Sequence, residues 1–111
     1  MLKCIAIDDE PKGLDIIKKH VQRLNSIELI ATYLDPFEAI SYLNEHEVDL
    51  IFLDINMPSI NGVELVKSLT RKPMVIFTTA HSEYAMDSYE VKALDYLLKP
   101  FDFSRFLMAV N

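Results

Sequence analysis

Glycine is nearly absent: the 111 residues contain two, Gly13 and Gly62. Loops that cradle phosphates with backbone N–H groups need several glycines close together, so P-loop and dinucleotide-binding patterns are excluded. Cysteine is scarcer still. The single Cys4 permits no internal disulfide and no thiolate cluster. It lies inside an apolar run, where a free thiol behaves as a small buried hydrophobe. Basic charge is in deficit: 11 Lys and Arg stand against 17 Asp and Glu, for a net charge of −6 and a pI near 4.9. That sign is not the footprint of a nucleic-acid-binding domain. Long apolar runs are missing too. None approaches the ~18 residues of a membrane span, and Asp8 and Asp9 interrupt the first run before it could act as a signal peptide. A single domain in a reducing cytoplasm fits these absences.

What is present is regular alternation of strand-like and helix-like stretches, the pattern of an α/β fold with a parallel sheet. Strands are expected at residues 2–8, Ile27–Tyr33, Leu50–Asp54, 74–78 and Asp95–Leu98. Several are apolar and β-branched without polar alternation, as in strands buried on both faces. Between them run helical stripes. Pro11 opens the first helix, with Leu14, Ile17, Val21 and Leu24 on one side. Asp35 and Pro36 cap the second, with Phe37, Ile40 and Leu43 expected inward. Asn61 caps the third, with Glu64 at the capping-box position. Ser82 caps a short helix to about residue 90, and Asp102 caps a last one carrying Phe103, Phe106, Leu107 and Val110. The last helix stops at Asn111 after about two turns, so the chain is expected to be cut within it from something longer.

Chemistry-bearing residues gather at strand ends. Asp8, Asp9 and Glu10 follow the first strand, Asp54 ends the third, Thr79 and Ala80 end the fourth, and Lys99-Pro100 follows the fifth. In an open parallel sheet, ligands bind outside the carboxyl ends of the strands. Three carboxylates and an ammonium brought together there suit a divalent cation with a phosphoryl group. Paired carboxylates favour Mg²⁺, a hard octahedral ion. The alternative for Asp9 and Glu10 is service at the positive end of the helix that Pro11 opens. Asp54 read alone could be an ordinary strand-end aspartate, and Lys99 a surface lysine. X–Pro is the bond where cis is cheap, and a cis Lys99–Pro100 bond would aim Lys99 into the pocket. His20 and His46 are read as solvated, and His81 as a neighbour of the pocket.

Taken together, Asp8-Asp9-Glu10, Asp54 with Met57-Pro58 and Gly62, Thr79-Ala80, Tyr96 and Lys99-Pro100-Phe101 resemble the receiver domain of two-component response regulators across essentially the whole chain. The resemblance implies a flavodoxin-like, doubly wound sheet of five parallel strands in the order 2-1-3-4-5, with helices on both faces. It implies that Asp54 accepts a phosphoryl group from a phosphohistidine on a sensor histidine kinase. Asp9 would hold Mg²⁺ (or Mn²⁺) directly and Asp8 partly through water. Asp54 and the Asn56 backbone carbonyl would complete the protein's share of the ligands. Thr79, the Ala80 amide and Lys99 would contact phosphoryl oxygens, the Lys99–Pro100 bond would be cis, and Tyr96 would be an aromatic switch. The segments 79–85 and 93–101 are similar to receivers that precede LytTR-type DNA-binding domains. That implies homodimer formation on phosphorylation through the helix after strand four, strand five and the last helix, with no nucleic-acid or membrane contact by this domain. Two other readings stand beside it: a Mg²⁺-dependent phosphohydrolase working through an aspartyl phosphate, and a receiver-like interaction module that is never phosphorylated. The first would usually carry a second aspartate where Asn56 stands.

Overall fold

The computed structural model describes residues 1–81 and 91–111. Among the described residues, five strands form one sheet: β1 (Leu2–Ile7), β2 (Ile27–Tyr33), β3 (Leu50–Asp54), β4 (Met74–Thr79) and β5 (Asp95–Leu98). All adjacent pairs are parallel, and the order is β2-β1-β3-β4-β5. Among the described residues, helices α1 (Pro11–Val21), α2 (Pro36–Glu45) and α3 (Gly62–Ser68) connect the first four strands, and α4 (Phe103–Val110) follows β5. The expected flavodoxin-like fold is therefore what the chain adopts. β1 ends at Ile7 rather than Asp8, and β4 runs one residue further, to Thr79. The helix expected from Ser82 to about residue 90 lies outside the described residues.

Alternation along each strand builds two cores. Ile5, Ile7, Ile51, Leu53, Val75 and Phe77 point to one face, where α2 and α3 cover them with Ala39, Leu43, Val63, Leu65 and Val66. Cys4, Ala6, Leu50, Phe52, Ile76 and Leu97 point to the other, where α1 and α4 bring Leu14, Ile17, Val21, Phe106 and Ala109. This is why the inner strands β1, β3 and β4 read as nearly unbroken apolar runs: both of their faces are covered, whereas the edge strands β2 and β5 are only partly buried. Burial on that face pushes the Cys4 thiol up to about 12, with a smaller contribution from Glu28, so the thiol stays protonated.

The caps expected at Asp35, Asn61 and Asp102 form, and the one expected at Ser82 lies outside the described residues. Asp35 Oδ1 accepts from the Phe37 N–H (2.9 Å), Asn61 Oδ1 from Val63 N–H (2.7 Å) and Asp102 Oδ1 from Arg105 N–H (2.9 Å). Phe37 is a correction. It is 51% exposed, because α2 turns Pro36, Ala39 and Leu43 to the sheet. At 3.6 residues per turn, Phe37 falls well outside that face.

The register aligns the strand ends. Asp54 lies opposite Thr78, and Thr79 opposite Leu98. Hence Asp8, Asp54, Thr79 and Lys99 all emerge at one edge. The β3–α3 connection is tight there, with Gly62 N–H donating to Ile55 O at 2.8 Å. A Cβ at Gly62 would stand 2.7 Å from Asp54 O and 3.0 Å from Ile55 Cα. Those are backbone atoms and cannot swing aside. Gly62→Ala is therefore predicted to destabilise the fold by about 1–3 kcal/mol. The check is a lowered urea midpoint at constant slope; an unchanged midpoint would show that α3 shifts freely.

Candidate functional site

Asp8 and Asp9 both stand past the end of β1, where the chain turns into α1. Asp8 is buried, and so is Asp54, each 4% exposed. Lys99, just after β5, reaches back across the edge. Its Nζ lies 2.9 Å from Asp8 Oδ2 and 3.7 Å from Asp54 Oδ1. Its backbone N–H donates to Thr79 O at 2.7 Å, and the Lys99–Pro100 peptide is cis, as expected. Asp8 Oδ1 accepts from Glu10 N–H at 2.9 Å, and Asp54 Oδ1 makes a long 3.4 Å contact with Asn56 N–H. One carboxylate oxygen from each of Asp8, Asp9 and Glu10 falls within 4.8 Å of the others. Asp9 Oδ1 is buried and has no hydrogen-bond partner. Glu10 occupies the N-cap of α1 and makes no side-chain cap bond, so at that position its carboxylate acts on the helix through charge alone.

Burial is the largest influence on Asp54 and pushes its carboxyl up to about 7. Asp8 and Asp9 raise it too, against the opposing pull of Lys99 and the Asn56 N–H. Burial also works against the Lys99 ammonium. The hydrogen bond to Asp8 and the charges of Asp54, Asp8 and Glu10 outweigh it, and the net direction is upward. The two shifts are consistent. Lys99 donates to Asp8 at hydrogen-bonding distance, whereas Asp54 receives only the more distant share of its charge.

The other expected site residues fall as follows. Thr79 is fully buried at the end of β4, and its Oγ1 accepts from His81 N–H at 3.1 Å. Ala80 follows it and is exposed, as is Asn56. Tyr96 lies in β5, half-buried against the α2–α3 core. Its carbonyl accepts from Arg105 Nη2 at 2.8 Å, while the Arg105 fork pairs with Asp95 at 2.9 and 3.0 Å. Mainly through that hydrogen bond, Arg105 holds the Asp95 carboxyl below its ordinary range. This clamp between β5 and α4 leaves no mark in the sequence, since two opposite charges ten residues apart give no signal. His20 is a correction. It is half-buried, not solvated, with Phe101, Phe103 and Phe106 ring centroids 5.1–5.8 Å away. It sits on the flank of α1 that α4 covers. His46 is exposed, stacked on Tyr42.

Beside Lys99, a cleft of about 160 Å³ is lined by Glu10, Gly13, Ile16, Thr78 and Phe101, among others. That is below the ~300 Å³ at which small-molecule sites begin. The carboxylates of Asp8, Asp9 and Asp54 lie outside the lining of that cleft, and with the Lys99 ammonium their charges suit a small anion together with a cation.

Comparison with known proteins agrees with this geometry. The profile of the response regulator receiver domain matches residues 4–111, and the chain belongs to that family, a signalling domain of two-component systems. The transcriptional regulatory protein YpdB of Escherichia coli K12 is 35% identical over 107 residues, covering 94% of this chain and 44% of that protein. Sensory transduction protein LytT of Bacillus anthracis is 35% identical, covering all of this chain and 46% of that protein. These relatives are of the class that the motif spacing resembles. The chain spans less than half of either. The response regulatory domain of mrkE from Klebsiella pneumoniae superposes with a TM-score of 0.88 at 32% identity, covering 98% of this chain and 92% of that one. Among the described residues, no helix is long and apolar enough to cross a membrane.

A pH dependence follows from Asp54. Its carboxyl titrates near 7 in the folded chain and near 3.8 when unfolded, so the folded state holds a proton that the unfolded state has released. Without divalent cations, stability should fall as pH rises from about 4 to 7 and level off above, the displacement corresponding to roughly 4 kcal/mol at most. Asp54→Asn should flatten that fall, gaining on the order of 1–3 kcal/mol at pH 8 and little at pH 4. Urea unfolding at both pH values in chelator checks this; parallel stability curves for the two proteins would contradict it.

Proposed function

We propose that this domain is a phosphoacceptor switch in which Asp54 takes a phosphoryl group from a phosphohistidine on a sensor histidine kinase. The observation that carries the reading is Lys99, whose ammonium bridges Asp8 and Asp54 across the strand ends. In the transfer, an Asp54 carboxylate oxygen forms a bond to phosphorus as the bond from phosphorus to the kinase imidazole breaks; the electron pair of that bond stays on the ring nitrogen, and the imidazole, already protonated on its other nitrogen, leaves neutral. Such a reaction needs alignment and charge neutralisation more than covalent help. Lys99 is placed to stabilise a phosphoryl oxygen, with Thr79 and the Ala80 amide as further donors at the end of β4. To take part, Thr79 would turn its hydroxyl proton from the His81 carbonyl, a long 3.4 Å contact, and could still accept from the His81 N–H.

The acidic cluster fits Mg²⁺ or Mn²⁺. Asp9 Oδ1, buried and unpartnered, is the oxygen with no other function. Asp8, Asp54 and the Asn56 carbonyl complete the set, a hard-oxygen donor set of the kind these ions select. The bound ion would offset the carboxylate charges and those of the incoming phosphoryl group.

The readout is a surface. Tyr96, half-buried with a polar tip, has two stable environments, inward and outward. We assign it as the switch, acting with β5 and α4. In a longer cytoplasmic protein of the relatives' kind, this face would form the phosphorylation-dependent homodimer that controls a DNA-binding output domain. The kinase is the partner of the strand-end edge, and this domain itself meets neither nucleic acid nor membrane.

Incubation with a small phosphodonor and Mg²⁺ should add one phosphoryl group by mass, and Asp54→Ala should remain unmodified. Labelling of the variant, or donor turnover without an adduct, would reject the assignment, the latter in favour of a hydrolase. A second expectation concerns the ion. Millimolar Mg²⁺ should raise the melting temperature, since a ligand of the folded state stabilises by ~2.7 kcal/mol at a hundredfold excess over its dissociation constant. Asp9→Ala should lose most of that rise; equal rises would place the ion elsewhere.

A further inference from the structure

Gly13 lies in the first turn of α1, and its φ is not positive, so no left-handed backbone calls for glycine there. What calls for it is space. A Cβ at this position would overlap Asp8 Oδ2 and stand 2.6 Å from Asp8 Cγ. Asp8 has little freedom to yield. Its Oδ2 faces Lys99 Nζ at 2.9 Å, its Oδ1 is held by Glu10 N–H at 2.9 Å, and the residue is buried.

We propose that Gly13 is a positioning residue for the phosphoacceptor site: its missing side chain opens the slot in which Asp8 lies, and so places Asp8 against Lys99. Asp8 then spends one oxygen on the Glu10 amide and the other on Lys99. That anchors the ammonium within reach of Asp54 and leaves the bare Asp9 oxygen to face the cation. Any side chain at residue 13 drives the Asp8 carboxylate out of the slot, breaks its bond to Lys99 and opens the cluster with Asp9 and Glu10.

The test turns on a sign. Gly→Ala at a helical position with ordinary φ normally stabilises, because it restricts the unfolded chain. With Asp8 in place the collision should reverse this. In chelator, Gly13→Ala is expected to lower the melting temperature in the native background and raise it in an Asp8→Ala background, where the slot is empty. A rise in both backgrounds overturns the proposal. An equal fall in both overturns it as well, because the cost would then not lie with Asp8. A local probe guards against poor folding of the double variant. The Glu10 amide proton, hydrogen-bonded to Asp8, should move upfield in the single variant Gly13→Ala, and an unmoved resonance counts against the slot. The Mg²⁺ arm rests on the phosphoacceptor reading. Calorimetric titration should show Mg²⁺ binding roughly tenfold weaker in Gly13→Ala, the scale of losses when a group supporting a metal ligand is disturbed; undiminished affinity rejects the effect on the cluster. If no variant, nor the native chain, responds to Mg²⁺, the phosphoacceptor reading fails while the chelator arm still decides the role of Gly13.

Discussion

The ammonium of Lys99 is the interaction on which the strand-end edge depends. A parallel sheet delivers Asp8 and Asp54, both buried, to the same place, with Asp9 beside them. Buried carboxylates repel one another and resist ionisation. Lys99 relieves part of that repulsion with a full bond to Asp8 and a weaker one to Asp54. The remainder stays on Asp54, whose carboxyl sits near 7, and on Asp9, whose inner oxygen has no partner. The fold thus holds a charge imbalance that binding of a cation and an anion together would remove.

The scarcity of glycine acquires a meaning in this light. Neither glycine has positive φ, and both stand where a Cβ would strike an aspartate of the site: Gly13 against the Asp8 side chain and Gly62 against the Asp54 carbonyl. Helices α1 and α3 flank the acidic edge, and each brings its first turn against it at a residue without a side chain. Close approach of the helices, rather than turn geometry, is what glycine provides here.

Signal transmission needs an element with two arrangements near the site. β5 carries Leu98 into Lys99 at one end and Asp95 and Tyr96 at the other, where the Arg105 fork binds the Asp95 carboxylate and the Tyr96 carbonyl. The same short strand therefore joins the charged edge to α4. On the proposed phosphoacceptor reading, a shift of Lys99 toward a phosphoryl group would have a direct mechanical route through this strand to Tyr96 and the α4 surface.

Much of this was legible in the residues alone. Strands buried on both faces leave continuous apolar runs, and Asp35, Asn61 and Asp102 mark helix starts by chemistry that acts within three residues. Strand-end placement of Asp8, Asp54, Thr79 and Lys99 followed from the same runs. Local sequence could not say which flank of a helix another element covers, so Phe37 was expected inside and His20 outside. Nor could it show that Arg105 clamps β5, that Gly13 yields its space to Asp8, or that Lys99 chooses Asp8 over Asp54. Those contacts join residues brought together only when the sheet and its helices close, and their distances depend on packing that no local pattern encodes. The chain by itself determined the strands, the caps and the set of charged residues at one edge. Tertiary structure decided which charges pair and which oxygen is left bare, because electrostatic partnership depends on separations of a few ångströms that only the assembled fold sets.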